Sequence, residues 1–210
     1  LQGYFITLEG PDGSGKSTIM KLLGEYFQQK GIDFIMTREP GGTPIGEEIR
    51  NIILDYMNTD MSPETEALLY AASRGQHVHE KIIPALREGK VVLCDRFILS
   101  SLAYQGVGRG LGIEEVKRIN DFALRGIYPD LILFFHVDPE VSLSRKTEKF
   151  GGDRLEREGS EFHSRVYDGY MELLEIYPEK IERIDATKSI EEVLKQSIDK
   201  IEQLLNLRRG

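Results

Sequence analysis

The sequence is poor in cysteine, in positive charge and in long apolar runs, and each shortage closes off a class of protein. One cysteine, Cys94, in 210 residues excludes an internal disulfide framework, and its apolar neighbours make it a buried bystander in a reducing setting. Lys and Arg total 27 against 35 Asp and Glu, for a net charge of −8. That balance argues against a protein that grips nucleic acid by wide phosphate neutralisation, so any anion site must be local. No window is apolar enough to span a membrane and the start does not read as a signal peptide, so a cytoplasmic protein is expected. Repeats, low-complexity tracts and linkers are missing as well. The 210 residues suit one well-buried α/β domain over 1–210. Leu1, Gln2 and Gly3 are set aside from functional reasoning.

What is present centres on Gly10-Pro11-Asp12-Gly13-Ser14-Gly15-Lys16-Ser17-Thr18, which fits the P-loop pattern of Gly, any four residues, Gly, Lys and Ser or Thr. Glycine lets backbone N–H groups close on phosphate oxygens, and a helix starting near Lys16 points its positive end at the same anion. Lys16 is expected to reach the β- and γ-phosphates of a nucleotide, and the Ser17 hydroxyl to ligate Mg²⁺. The context fits. Tyr4-Phe5-Ile6-Thr7-Leu8 is a β-prone run, and Ile19, Leu22, Leu23, Tyr26 and Phe27 keep the rhythm of a helix that ends at Gly31.

Further along, Phe34-Ile35-Met36-Thr37 reads as a strand running into a loop shaped by Pro40, Gly41, Gly42 and Pro44, with Arg38 and Glu39 at the strand's carboxyl end. In a doubly wound sheet such loops line the ligand crevice. Ile45, Ile49, Ile52, Ile53 and Tyr56 form a helical stripe that carries Arg50. Ser62-Pro63-Glu64 starts another helix, on which Tyr70 and Arg74 share a face able to grip a flat heterocycle. His77 and His79 have the wrong spacing for one helical face, and a metal site there is rejected. Val91-Val92-Leu93-Cys94-Asp95 is an apolar strand ending in an acid, the arrangement that sets a carboxylate beside Mg²⁺, and Arg96 follows it. A helix over 113–125 presents Val116, Ile119, Phe122 and Ala123 as core or as dimer surface. Residues 131–137 read as a fully buried parallel strand, and Asp138-Pro139 begins the next helix. Residues 145–160 have mixed charge, weak periodicity and the Gly151-Gly152 pair, and they read as a lid or as a solvated loop. Ile181 to Ile184 is the last strand, and Ser189 with Glu192 forms a capping box for the last helix.

The expected fold is therefore α/β: a P-loop NTPase fold with a five-stranded parallel sheet, helices on both faces and a short lid. The base-reading Asn-Lys-x-Asp of GTPases does not occur, nor does a cassette signature. Thr37-Arg38-Glu39-Pro40-Gly41-Gly42-Thr43, Leu69-Tyr70-Ala71-Ala72-Ser73-Arg74, and Asp95-Arg96-Phe97 followed by Ser100-Ser101-Leu102-Ala103-Tyr104-Gln105-Gly106 resemble the signatures of the bacterial thymidylate kinase family. The resemblance spans nearly the whole chain.

It implies transfer of the ATP γ-phosphoryl group to the 5′-phosphate of dTMP, with Mg²⁺ as cofactor, in dTTP synthesis. Carried over residue by residue, it implies that Arg96 bridges donor and acceptor phosphates, with Arg50 and Arg38 on the acceptor. Asp95 and Glu39 would organise Mg²⁺, Arg96 or ordered water. The base would stack on Tyr70, where the family usually has Phe, with Arg74 on a carbonyl, Gln105 on the ring edge and Ser101 nearby. Tyr104 would pack under the sugar, and Asp12 would face the 3′-hydroxyl. Gly13 stands where some members carry Arg, so the catalytic cation should come from the lid: Arg154 first, Arg157 second, with Arg145 nearer the adenine. The family also implies a homodimer formed through helices. Two other readings stay open: a P-loop kinase for another small acceptor, such as a deoxynucleoside, and a nucleotide-sensing protein without turnover.

Overall fold

The computed structural model describes residues 2–138 and 152–207. Five strands, β1 (Tyr4–Glu9), β2 (Phe34–Arg38), β3 (Val91–Asp95), β4 (Leu131–His136) and β5 (Ile181–Asp185), lie side by side in the order β2-β3-β1-β4-β5. Every neighbouring pair is parallel. The expected strands are all present, each within two residues of its expected ends.

Near-continuous apolar runs form these strands because the sheet is covered on both faces. Side chains of a strand alternate between faces, and the two cores divide the runs accordingly. Phe5, Val92, Cys94 and Phe134 point to one side, Ile6, Leu8, Leu93, Leu133 and Phe135 to the other. The second side is closed by α1 (Lys16–Lys30) through Ile19, Leu23 and Phe27, and by α8 (Ile190–Leu207) through Val193 and Ile201. The first is closed largely by α3 (Pro63–His77) with its continuation α4 (Ile83–Arg87), by α5 (Ile98–Ser101), by α6 (Ile113–Leu124) and by α7 (Ser160–Ile176). Full burial of one such Leu or Phe contributes about 1.5–3 kcal/mol, so the paired cores supply the main driving force. A shorter helix, α2 (Pro44–Leu54), follows β2.

The predicted helix ends are in place. Gly31 closes α1 in the left-handed region, Ser62 accepts from the Thr65 backbone at the start of α3, and Ser189 and Glu192 exchange side-chain and backbone bonds ahead of α8. Val116 is core, whereas Phe122 is 90% exposed. Two features go beyond the sequence reading. The chain widens into π-helical turns at Val78–Ile82 and at Leu102–Gly108, where the Arg109 N–H reaches back five residues to the Tyr104 carbonyl. Such turns re-aim side chains, and the second carries Tyr104 and Gln105. The helix expected after Asp138-Pro139, Arg145 and Gly151 fall outside the described residues.

The sheet order decides where chemistry can sit. β1 and β3 are central neighbours, with Leu8 opposite Asp95, and Arg38 of β2 lies on Asp95's other flank. The P-loop, Asp95-Arg96 and Arg38-Glu39 thus emerge together at one carboxyl edge.

Candidate active site

The P-loop crosses from β1 to α1 with its lysine drawn back over it. Lys16 Nζ donates to the carbonyls of Gly10 (3.0 Å) and Pro11 (2.8 Å) and to Ser14 Oγ (3.3 Å). Gly10 is required by a close approach, since a Cβ there would lie 2.7 Å from the Phe135 carbonyl oxygen. Gly15 caps α1 at φ 88, a conformation that side-chain-bearing residues rarely adopt. Burial, and then the charge of Arg96, lowers Lys16 to a pKa of about 8. Ser17 Oγ donates to Asp95 Oδ2 at 3.4 Å, while Asp95 Oδ1 is buried without a hydrogen-bond partner.

Arg96 follows β3 with φ 64, in the left-handed region, its N–H bonded to the Leu8 carbonyl. That backbone turn sends the guanidinium across the edge of the sheet. Nη2 donates to Asp12 Oδ1 of the P-loop (2.6 Å), and Nη1 donates to Ser100 Oγ (3.0 Å) and the Tyr170 hydroxyl (3.1 Å). The fork also lies 5.4 Å from the centre of the Tyr104 ring.

Beyond Arg96 opens a cleft lined by Asp12, Arg38, Glu39, Arg50, Tyr70, Arg74, Asp95, Ser101, Tyr104 and Gln105, with Leu54, Asp153 and Leu155 at its margin. Ten residues named from the sequence as acceptor ligands, Arg96 included, thus share one cavity. Its floor is a hydrogen-bonded carboxylate–guanidinium pair: Arg74 Nε donates to Glu39 Oε2 (2.7 Å), and His77 Nδ1 lies 2.9 Å from Glu39 Oε1. Arg74 Nη1 bonds Ser101 and Asn120, which leaves Nη2 without a protein acceptor among the described residues. Arg50 Nη1 donates to the Pro40 carbonyl, and burial together with neighbouring Arg38 lowers its pKa from the usual value. His77 Nε2 lies 2.7 Å from Thr37 Oγ1 on its other side.

Arg154 is placed elsewhere than expected. Its Nη2 donates to Glu66 Oε2 (2.6 Å) and its Nε to the Ile53 carbonyl (2.9 Å), so it is bound into the wall of α2 and α3 and does not line the cleft. Arg157 bonds the Gly152 carbonyl and covers the Tyr56 ring. The sequence reading also missed Glu9, which is fully buried and accepts from the Phe97 N–H and Ser100 Oγ. Burial raises its pKa against the opposing hydrogen bond from Ser100. An acid ending an apolar strand just before the P-loop was the available signal. A second hollow lies between Gly13, Ser14 and Thr18 of the P-loop and the segment with Ala186, Lys188 and Ser189, where the sequence reading has only the helix cap at Ser189.

A phosphate-cradling loop with its lysine, a strand-end Asp-Arg, and a separate cation-lined cleft on the far side of that arginine define a P-loop phosphotransferase with distinct donor and acceptor sites. The sequence profile described as Thymidylate kinase matches residues 8–198. A thymidylate kinase of Finegoldia magna is 60% identical over 195 residues, 93% of this chain and 96% of that one. One from Halalkalibacterium halodurans is 50% identical over 98% of this chain and 99% of its own length. The crystal structure of thymidylate kinase from Ehrlichia chaffeensis superposes with a TM-score of 0.78 at 32% identity, covering 96% of this chain and 99% of that one. The chain belongs to the thymidylate kinase family.

Proposed function

We infer that the chain transfers the γ-phosphoryl group of ATP to the 5′-phosphate of dTMP, giving dTDP and ADP on the way to dTTP. The observation that carries this reading is the position of Arg96, with one amino group on the P-loop residue Asp12 and the other on Ser100 at the wall of the acceptor cleft. A phosphate monoester with a second pKa of about 6 is mostly dianionic at neutral pH, so the acceptor needs no general base. The task is to hold two anions together and to stabilise the charge of the transferring group.

In this reading Lys16 and the P-loop backbone hold the donor phosphates, and Arg96 spans donor and acceptor. Arg50 and Arg38 neutralise the acceptor phosphate. Tyr70 offers a flat face to the base, Arg74 Nη2 and Gln105 address its edge, Ser101 buttresses Arg74, and Tyr104 supports the sugar near Asp12. The hollow beside Ala186, Lys188 and Ser189 suits the adenine, a place first given to Arg145. Ser17 and the unpartnered Oδ1 of Asp95 suit Mg²⁺ reached through water, and no tighter group of three His, Cys, Asp or Glu exists among the described residues. The ion would neutralise β- and γ-phosphate oxygens. Exposed Leu68 and Phe122 favour the homodimer of the family resemblance, and the cytoplasm suits its substrates.

Purified protein with ATP, Mg²⁺ and a panel of nucleoside monophosphates tests the reading. dTMP is the expected acceptor. Preference for AMP, GMP or UMP contradicts it, and phosphorylation of thymidine itself favours a deoxynucleoside kinase. The lysine gives a second test. With a pKa of about 8 in the free protein, Lys16 should regain its proton when the donor phosphates dock. Calorimetry of ATP binding in buffers of different ionisation heat should therefore show little proton uptake at pH 6.5 and a substantial fraction of one proton at pH 8.5. Equal uptake at both values counts against Lys16 as the phosphate ligand.

A further inference from the structure

Gln105 is 1% exposed and lines the cleft, yet its Oε1 is buried without a hydrogen-bond partner. Its other end is occupied. Nε2 donates to Glu66 Oε1 at 2.8 Å. An ionised carboxylate can only accept, so this bond decides which way round the amide sits: the NH₂ group faces Glu66 and the carbonyl oxygen is left for something else.

Glu66 is fixed more firmly than its partner. It is 1% exposed and also accepts from Arg109 Nη2 (3.0 Å) and Arg154 Nη2 (2.6 Å). Burial favours the protonated acid, but hydrogen bonds from Arg109, Gln105 and Arg154 hold its pKa below the ordinary value. Arg109 Nη1 pairs in turn with Glu158 at 2.6 Å. Two guanidinium groups thus face two carboxylates, so the cluster carries no net charge into the interior. A buried, fully bonded anion is a rigid reference against which a neighbouring amide can be oriented.

We propose that Glu66 is a positioning residue for base selection, which presents Gln105 Oε1 to a pyrimidine whose ring nitrogen carries a proton and so excludes one whose ring nitrogen is a bare acceptor. The inference rests on reading the cleft as the dTMP site. Thymine offers N–H at N3, whereas cytosine offers a lone pair there, which would meet the lone pairs of Oε1. Were the amide free to turn, its NH₂ group could serve cytosine as well, and the distinction would fade. Glu66 touches no substrate itself. The ion cluster carries the orientation from α3 and from residues 154–158 to the base edge.

The test compares kcat/KM for dTMP with that for 5-methyl-dCMP, which differ only at position 4 and in the N3 proton. Glu66→Gln keeps the volume but brings an NH₂ group able to bond Gln105 Oε1, so Gln105 can reverse. The dTMP preference should fall about 10- to 100-fold, mainly through a higher KM for dTMP, while kcat changes little. In a Gln105→Ala background the same substitution should leave the ratio unchanged. Equal losses for both nucleotides, or the same change of ratio with and without Gln105, would show Glu66 to be structural only and overturn the proposal. If thermal melts show Glu66→Gln unfolded, Glu66→Asp retains the charge, withdraws from Gln105 by one methylene, and should move the ratio in the same direction. A ratio unmoved by the folded variant overturns the proposal. A parent protein that does not turn over dTMP overturns the functional reading and this inference with it, whereas an active parent with insensitive variants overturns this inference alone.

Discussion

Arg96→Ala is expected to lower turnover with ATP and dTMP by at least about 10²-fold while the unfolding midpoint moves by no more than a few degrees. The first half follows from where the guanidinium stands. It joins Asp12 of the P-loop to Ser100 and Tyr170 at the acceptor side, the position from which a cation meets the charge that builds up between two phosphates. The second half follows from what is left behind. Alanine inherits the left-handed backbone of residue 96 with no strain that arginine did not already have, and the N–H bond to Leu8 is unaffected. Asp12 has 37% of its side chain exposed and can turn to water. Ser100 and the Tyr170 hydroxyl lie 2.9 Å apart and remain bonded to each other. Arg96→Lys separates charge from geometry: a single ammonium cannot hold both sides at once, so it should restore less than tenfold of the loss. Steady-state rates at saturating substrates, with thermal melts alongside, decide the matter. A near-normal rate for the alanine variant would refute the bridging role.

The division between what the chain reveals and what it hides runs along sequence distance. The strands, the P-loop and the caps at Gly31, Ser62 and Ser189 rest on patterns of a few residues, and the fold keeps them because local preference and burial agree. The cleft was legible where its residues sit beside strand ends, as Arg38, Glu39, Asp95 and Arg96 do. Tyr170 is not among the residues the sequence marks for the site. Its ring is fully buried core, but its hydroxyl serves Arg96 across 74 positions, and an amphipathic side chain gives no sign of this in its spacing. Arg154 lies away from the cleft. The family resemblance implied an arm over the phosphates, whereas here a buried carboxylate 88 residues earlier holds it. Glu66 is not singled out by the sequence: it is one of two acids in the first turn of α3, and nothing local reveals that it faces inward.

Lys16→Met is expected to abolish most activity, by about 10³-fold or more, while the protein unfolds at the same temperature or a higher one. Opposite signs for function and stability follow from the lysine's surroundings. Lys16 is 6% exposed, and its pKa falls from the usual 10.5 to about 8, chiefly through burial. The free protein thus keeps a charge in an interior that disfavours it by roughly 3 kcal/mol, at about 1.4 kcal/mol per pH unit. The sign follows from proton counts. Between pH 8 and 10.5 the unfolded chain binds more protons at this residue than the folded one, so the penalty is full below pH 8 and fades as pH rises towards 10.5. Methionine has nearly the same length and no charge. It gives up three hydrogen bonds: the Pro11 carbonyl is part-buried and open to water, and the loss at the buried Gly10 carbonyl and Ser14 hydroxyl offsets part of the gain. At pH 7 the melting point should therefore hold or rise, and any gain should shrink by pH 9.5, where the parent lysine is already mostly neutral. A drop of many degrees at pH 7 would show that the bonds to Gly10 and Pro11 brace the P-loop and that the charge is not a strain kept for phosphate. Retained turnover would remove Lys16 from the mechanism.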